Sequence, residues 1–193
     1  NEACRQQVKV LVFPELCLTA YTCGDLFLQD ALIEEAEKQL AQLVQASAPM
    51  DMLIFAGLPW AKEGRLYNVM AVFQRGRLLG LVPKRSIPNY SEFYEARHFH
   101  EGNEIPVRVN FTDASGETYP VWMGSRLLFA CRENRKLTVA AEVCEDLWGA
   151  MPPSIAHAMA GATLIVNGSA SDEVTGKAAF RRQLVGGQSA RLV

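Results

Sequence analysis

Four short apolar runs are separated along the chain by turn-forming residues. They occupy residues 8–13 ("VKVLVF"), 52–60 ("MLIFAGLPW"), 136–143 ("KLTVAAEV") and 163–170 ("TLIVNGSA"). Short, nearly continuous runs that are rich in β-branched residues are typical of strands buried on both faces. We therefore predict four buried strands, the first stopped by a proline and the second by its own glycine and proline.

Between these runs the apolar residues change to helical spacing. In residues 25–47, apolar side chains recur every three or four positions from Leu28 to Leu43, and the charged residues occupy the other side. This periodicity predicts an amphipathic helix. A short helix is predicted at 154–162, after two prolines, and another begins in 176–184.

Two further segments have apolar arms on either side of a turn. Residues 67–84 surround "RGR", and residues 107–124 surround a turn at Asp113–Gly116, so each predicts a hairpin. The segment 90–99 ("YSEFYEARHF") has the pattern of an amphipathic helix with core-facing aromatics. Hairpins mixed with strand–helix–strand units indicate a mixed sheet, and the pattern leaves open whether there is one sheet or two.

Composition excludes several classes of protein. The 193 residues are 49% hydrophobic and 21% charged, with a net charge of −2, which suits one globular domain. We find no basic tract that would bind nucleic acid and no apolar run long enough to cross a bilayer. Five scattered cysteines without a C-x-x-C pair argue against disulfides and bound metal, and favour a reducing cytoplasm. Because the chain lacks an initial methionine and a closing signal, we expect a fragment.

Three predicted strands end at residues of unlike chemistry. Glu15 and Lys84 each follow an apolar strand and a proline, and Cys144 directly follows the third strand. A partly desolvated carboxylate can transfer protons, an ammonium can offset developing negative charge, and a thiol can attack an electrophile. Taken singly, each residue has a more ordinary explanation: a capping glutamate, a solvated lysine and a small buried cysteine. Together they supply a base, a cation and a nucleophile.

The surroundings of Cys144 raise a difficulty for a catalytic cysteine. Glu142, Glu145 and Asp146 lie within two residues of it, and nearby negative charge disfavours a thiolate. Side chains alternate in direction along a strand, so not all three acids can face the thiol. We expect the base and the positive charge to come from elsewhere in the chain.

Several motifs together resemble a known family. The segments "VFPELCLTAY", "PKRSIPNYSEFYEARHF" and "EVCEDLW" resemble the three signature segments of the nitrilase-like amidohydrolases, which use a Glu-Lys-Cys triad. The segments "GDLFLQD", "MPPSIAHAMAGATLIVNGSAS" and "GKAAFRRQL" are similar to the glutaminase domain of glutamine-dependent NAD⁺ synthetases. The resemblance runs from Val8 to Val193.

The resemblance implies an α/β fold, a four-layer α-β-β-α sandwich that is incomplete at both ends. It implies that residues 1–193 are a glutaminase domain fragment, with L-glutamine as substrate and no cofactor of its own. In the family, ammonia passes through a tunnel to a C-terminal synthetase domain, which requires ATP and Mg²⁺ and which we expect to be absent from this chain. The resemblance further implies a homo-oligomer, and the cysteine pattern already noted favours a cytoplasmic location.

The resemblance also assigns roles to individual residues. Glu15 would be the general base, Cys144 the nucleophile and Lys84 the cation that holds the oxyanion with a backbone N–H just after the cysteine. The expected substrate contacts are Tyr90, which lies along the glutamine, and Ser171 and Lys177, which bind its α-amino acid end; Glu145 could face the α-ammonium.

Two departures from the family pattern affect that end of the substrate. Asp172 stands where proline is frequent, and Lys177 stands where some members have arginine. A lysine cannot grip a carboxylate with two parallel hydrogen bonds. We therefore expect binding of the α-carboxylate to differ in strength from that of the arginine-containing members.

Two other functions are compatible with the sequence. The chain could be a stand-alone nitrilase-like amidase that acts on another carboxamide. Alternatively, it could be a non-catalytic module retained for assembly, in which Glu15, Lys84 and Cys144 are structural. Labelling of Cys144 by a reactive glutamine analogue separates the catalytic interpretations from the structural one.

Overall fold

The computed structural model describes residues 2–192 and contains, within them, two β-sheets. One sheet has six strands in the order β1-β2-β3-β4-β6-β5, and the other has three in the order β7-β8-β9. The strands are β1 (Val10–Val12), β2 (Leu53–Lys62), β3 (Arg65–Gln74), β4 (Arg77–Pro83), β5 (Val107–Thr112), β6 (Thr118–Met123), β7 (Phe129–Ala130), β8 (Thr138–Val143) and β9 (Leu164–Gly168).

Both sheets are mixed, as the sequence predicts. In the large sheet, β1 pairs with β2 and β4 with β6 in parallel, whereas the remaining neighbours are antiparallel. In the small sheet, β8 is antiparallel to β7 and parallel to β9. The predicted hairpin at 67–84 is confirmed as β3–β4, and the predicted turn at Asp113–Gly116 joins β5 to β6.

Four α-helices lie within the described residues: α1 (Glu2–Arg5), α2 (Asp30–Ala46), α3 (Pro153–Met159) and α4 (Lys177–Arg191). The helix predicted at 25–47 is divided. A 3-10 turn occupies Gly24–Leu28, and α2 begins only at Asp30, because Gln29 between them is extended with φ −99° and ψ 121°.

The two faces of the large sheet pack against different layers. In β2, Ile54, Ala56 and Leu58 belong to the core shared with Leu40 of α2. Their neighbour Phe55 points to the opposite face and joins the core formed with the small sheet. Because successive side chains of a strand alternate in direction, the continuous apolar run of β2 fills both cores.

The layers follow in the predicted order. Helix α2 covers the outer face of the large sheet, the small sheet covers the inner face, and α3 packs against β8 on the far side of the small sheet. Val139, Ala141 and Val143 of β8 face the large sheet and are fully buried. The four-layer α-β-β-α sandwich is therefore confirmed.

Two local predictions are wrong. Strand β2 does not end at its glycine and proline but continues to Lys62, where Glu63 and Gly64 turn the chain into β3. Segment 90–99 is not an amphipathic helix, since the described structure there is irregular apart from a 3-10 turn at Glu95–Arg97. Its two tyrosines are exposed and Glu95 is buried, which is the reverse of the burial predicted for these three residues.

Candidate active site

The three strand-end residues converge at one buried place. Strands β1 and β4 run in the same direction in the large sheet, so the residues that follow them lie at the same edge. Lys84 Nζ donates a hydrogen bond to Glu15 Oε1 at 2.7 Å. Both side chains are fully buried, and Cys144 is 6% exposed. Cys144 lies beside this pair, since Glu15 and Lys84 both act on its thiol and the consecutive residues Ser169 and Ala170 contact Cys144 and Glu15. The structure therefore brings together the three residues that the sequence singles out.

The carboxylate of Glu15 is held by three donors. Its Oε1 also accepts a hydrogen bond from Asn68 Nδ2 at 2.7 Å, and its Oε2 accepts one from the backbone N–H of Ala170 at 3.1 Å. Leu16, the next residue, has a left-handed φ of 51°, so the chain turns sharply away after the carboxylate. The direction of the Glu15 side chain is thus set by strand β3 and by the residues that follow β4 and β9.

Cys144 lies at a strained junction. Its φ is 43°, a conformation that costs a non-glycine residue about 1 to 3 kcal/mol and that is frequent at active sites. The junction joins β8 to a 3-10 turn at Cys144–Leu147. Asp146 stabilises it, because its carboxylate accepts hydrogen bonds from the N–H groups of Val143 at 2.9 Å, Arg85 at 2.9 Å and Ser86 at 2.7 Å.

The acids next to Cys144 in sequence are engaged elsewhere. Glu142 accepts hydrogen bonds from the N–H of Ser154 and from Asn167 Nδ2. Glu145 Oε1 accepts one from Tyr90 Oη at 2.7 Å. Together with the backbone contacts of Asp146, these bonds account for all three carboxylates, which removes the difficulty raised by the sequence.

The surroundings of Cys144 favour the protonated thiol over the thiolate. Burial raises its pKa to about 12, and the negative charge of Glu15 adds to the effect, whereas Lys84 opposes it. A resting thiolate is therefore disfavoured at neutral pH. A nucleophilic thiol in this setting must lose its proton to a base as it attacks, and Glu15 is the nearby carboxylate that acts on it.

Glu95 is a buried member of the site that sequence reasoning missed. Its Oε1 lies 2.5 Å from Lys84 Nζ and accepts a hydrogen bond from Tyr21 Oη at 2.8 Å. Burial lowers the pKa of Lys84, but the charges of Glu15 and Glu95 outweigh it, so that the pKa is raised. Lys84 therefore remains an ammonium in spite of its burial.

Burial also raises the pKa of Glu95, although Lys84 opposes the shift. The charge of Glu15 adds to the effect of burial, since one ammonium between two buried carboxylates leaves an excess of negative charge. No periodicity in the sequence marks this residue, because its partners come from distant segments.

Three of the four predicted substrate contacts lie in two pairs of side chains, Tyr90–Glu145 and Lys177–Asp172, which meet at the ring of Phe93. Tyr90 is bound to Glu145, as described above, and its ring packs edge-on against Phe93 with centroids 5.6 Å apart. Lys177 Nζ lies 5.9 Å from the same ring and forms an ion pair with Asp172.

Ser171 lies beside this second pair. Its hydroxyl is 3.5 Å from Asp172 Oδ1, the limit of a hydrogen bond, and it directly follows Ala170, whose N–H binds Glu15. Both Tyr90 and Lys177 are accessible to solvent: 54% of the surface of Tyr90 is exposed, and 17% of the side-chain surface of Lys177. The predicted contacts therefore lie between the triad and solvent. The ammonium of Lys177 is already paired with the carboxylate of Asp172.

Other surface features lie away from the triad. A cavity of about 570 Å³ is lined by α2, Trp60 and the turn after β5, and it contains none of the predicted site residues. Among residues 2–192, no three His, Cys, Asp or Glu side chains converge as a metal site requires. No described helix is both long and apolar enough to cross a bilayer.

Comparisons with known proteins agree with this geometry. Residues 1–188 match the carbon-nitrogen hydrolase family. The chain is 38% identical over 182 residues to glutamine-dependent NAD(+) synthetase of Mycobacterium tuberculosis H37Rv, which covers 93% of this chain and 26% of that protein. It is 33% identical over 177 residues to the protein of the same name from Aquifex aeolicus, covering 91% of this chain and 27% of the relative.

A solved structure is similar over almost the whole chain. The crystal structure of a glutamine-dependent NAD(+) synthetase from Cytophaga hutchinsonii superimposes with a TM-score of 0.84 at 31% identity, covering 99% of this chain and 30% of that one. The chain thus spans about a quarter of the length of the curated relatives it matches. The fold and the converging Glu, Lys and Cys side chains agree with the family match over residues 1–188. The chain therefore belongs to the carbon-nitrogen hydrolase family.

Proposed function

We propose that the chain is the glutaminase unit of a glutamine-dependent NAD⁺ synthetase and that it releases ammonia from L-glutamine. The observation that carries the proposal is the buried Lys84–Glu15 pair beside Cys144. The similarity to synthetases of that name along more than nine tenths of the chain supports this choice among the reactions of the family.

The proposed reaction begins with proton transfer from the thiol. Glu15 removes the proton of Cys144 as the sulfur attacks the side-chain amide carbon of glutamine. Attack places negative charge on the amide oxygen. The ammonium of Lys84 stabilises this charge together with a backbone N–H that follows Cys144, since donors fixed in a dry site act strongly on a developing oxyanion.

Collapse of the tetrahedral species then breaks the carbon–nitrogen bond. Glu15 returns its proton to the departing nitrogen, which leaves as ammonia, and a γ-glutamyl thioester remains on Cys144. The same carboxylate next removes a proton from water, which attacks the thioester carbon. The carbon–sulfur bond breaks to release glutamate, and Glu15 returns the proton to the departing sulfur, which restores the thiol. One base thus serves both half-reactions.

Glu95 acts through Lys84. It shares the ammonium with Glu15 and accepts a hydrogen bond from the hydroxyl of Tyr21, so it fixes the position of Lys84 without contacting the amide. We assign it as a positioning residue.

The α-amino acid end of glutamine is assigned to the polar groups at the solvent side. Lys177 and Ser171 would take the α-carboxylate, Glu145 the α-ammonium, and Tyr90 would lie along the side chain. Because Asp172 already pairs with Lys177, the substrate carboxylate has to displace it. The exchange of one carboxylate for another keeps the ammonium neutralised throughout.

The rest of the proposal concerns the longer protein. Ammonia would pass to a synthetase domain that amidates nicotinic acid adenine dinucleotide, and ATP and Mg²⁺ would act there. No residue of this chain is assigned to them. The proposed setting is a cytoplasmic homo-oligomer.

Separating the two nitrogen sources tests this proposal. The full-length protein is supplied with nicotinic acid adenine dinucleotide, ATP and Mg²⁺, and NAD⁺ formation is measured with L-glutamine or with ammonium chloride. Cys144→Ala should abolish synthesis from glutamine and preserve synthesis from ammonium. Loss of both activities, or survival of the glutamine-dependent one, would contradict the division of labour.

The same assay addresses the stand-alone amidase and the assembly module. An amidase with another substrate would form no NAD⁺ from either nitrogen source. A module without catalysis would leave glutamine unhydrolysed in the wild-type protein.

A further inference from the structure

The end of β9 contacts both the base and the nucleophile. Ala170 N–H donates to Glu15 Oε2 at 3.1 Å, and Ser169 Oγ donates to Cys144 Sγ at 3.2 Å. Asn167 Nδ2 donates to the backbone carbonyl of Cys144 at 3.2 Å. A single tetrapeptide therefore links the two groups between which the first proton transfer is proposed.

The register of the small sheet explains why Ser169 meets the sulfur. Strands β8 and β9 are parallel, and the last pair of their ladder is Val143 with Gly168. One residue further along each strand are Cys144 and Ser169, which are side by side for the same reason. The hydroxyl is thus aligned with the thiol by strand pairing, which is more rigid than a surface loop.

Close packing keeps this strand end in place. A Cβ added to Gly168 would lie 1.9 Å from Met70 Cε and 3.3 Å from the carbonyl oxygen of Phe13. The backbone of β9 therefore lies directly against β3 and the residue that follows β1. Ser169, the next residue, is half-buried.

The sulfur needs a second stabilising group. Burial and the charge of Glu15 both favour the protonated thiol, and the hydrogen bond from Ser169 acts with Lys84 in the opposite direction. The ammonium of Lys84 already contacts the carboxylates of Glu15 and Glu95. In the described structure, the hydroxyl of Ser169 is the group that donates a hydrogen bond directly to the sulfur.

We propose that Ser169 is a further catalytic residue, whose hydroxyl donates a hydrogen bond to Cys144 Sγ and stabilises the negative charge that the sulfur acquires as Glu15 takes its proton. The inference rests on the proposed glutaminase reaction. In this step the S–H bond breaks, the proton passes to a carboxylate oxygen of Glu15, and the sulfur electron pair forms the bond to the amide carbon. Ser169 keeps its own proton throughout.

The test compares three substitutions of Ser169 in the full-length protein. Ser169→Ala removes the donor, Ser169→Thr retains a hydroxyl, and Ser169→Cys retains the volume with a weaker donor. Ser189→Ala, an exposed serine of α4, is the matched control. Glutamine turnover, the rate at which iodoacetamide alkylates Cys144 at pH 8, and the melting temperature are measured for each.

If Ser169 stabilises the charged sulfur during the reaction, removing its hydroxyl should lower kcat and leave KM unchanged. We expect Ser169→Ala to lower kcat about tenfold, the effect of one hydrogen bond to a charged group, with KM close to the wild-type value. Alkylation should slow about threefold, because a higher thiol pKa reduces the thiolate fraction but raises the nucleophilicity of each thiolate. Ser169→Thr should restore most of both losses, Ser169→Cys should fall between, and Ser189→Ala should match the wild type.

Two results would overturn the assignment: a kcat of Ser169→Ala within twofold of the wild type, or equal impairment of the alanine and threonine variants. If the alanine variant does not fold, the cysteine variant decides, and wild-type kcat in it would also overturn the assignment. Failure of the wild-type protein to hydrolyse glutamine or to be alkylated at Cys144 would instead refute the proposed function.

Discussion

The absence of a side chain at Gly57 allows the Glu15 loop to reach its position. A Cβ added to Gly57 would lie 2.3 Å from the backbone nitrogen of Leu16, 2.8 Å from the carbonyl oxygen of Pro14 and 2.9 Å from the carbonyl carbon of Glu15. All three neighbours are backbone atoms, so no side-chain rotation can relieve the clash. The substitution Gly57→Ala therefore forces the loop that carries the base away from β2.

The size of the displacement follows from these distances. Ordinary van der Waals contact begins at 3.4 Å, so the backbone at Leu16 has to retreat by about 1.1 Å, the difference from 2.3 Å. Misplacing a catalytic group by 1 Å can cost on the order of a hundredfold in rate. Overpacking a core typically costs about 1 to 3 kcal/mol of stability. We expect Gly57→Ala to lower kcat about a hundredfold while the protein remains folded.

Glutamate release from L-glutamine measures the effect, and thermal unfolding followed by circular dichroism reports the stability of the same samples. The matched control is Gly186→Ala in α4, where an added Cβ has no neighbour within 4 Å. In a helix this change is stabilising by about 0.5 to 1 kcal/mol, and activity should be unchanged. A Gly57→Ala protein with wild-type kcat would refute the argument that close backbone approach positions Glu15.

Three further predictions concern charged residues of the site. Lys84→Met should lower kcat a hundredfold or more, the typical effect of removing an oxyanion donor; in steady-state glutaminase assays, a loss below tenfold would make Lys84 a structural residue. Glu95→Gln keeps an acceptor for Tyr21 but removes one charge that holds Lys84, so kcat should fall with little change in KM, and an unchanged kcat would remove Glu95 from the account. Asp172→Asn should free the ammonium beside it and lower KM for glutamine at constant kcat, whereas a raised KM would mean that Asp172 itself binds the substrate.

The elements that carry the triad could be predicted from local sequence. The apolar runs that form β1 and β4 lead to Pro14 and Pro83, and the run that forms β8, interrupted only by Glu142, leads directly to Cys144. Such patterns are local, and each places its reactive residue at a strand end without knowledge of the partner strands. Their convergence was expected from the family resemblance, and the structure provides it.

The supporting residues could not be predicted in this way. Glu95 is buried because it meets Tyr21, 74 residues away, and Lys84, and a single sequence contains no signal for such a pair. Ser169 meets Cys144 through the register of two parallel strands, which periodicity does not specify. The sequence pattern predicts the end of a strand at Gly57, whereas in the structure β2 continues through it and the missing side chain allows a loop to approach closely.

The most direct test of the central claim is to find the covalent intermediate. The full-length protein is mixed with L-glutamine, quenched in acid during turnover, digested and analysed by mass spectrometry. The account predicts a glutamyl group attached to the peptide that carries Cys144, and its absence from the Cys144→Ala protein. Turnover of glutamine with Cys144 unmodified, or with the adduct at Cys17 or Cys23, would contradict it.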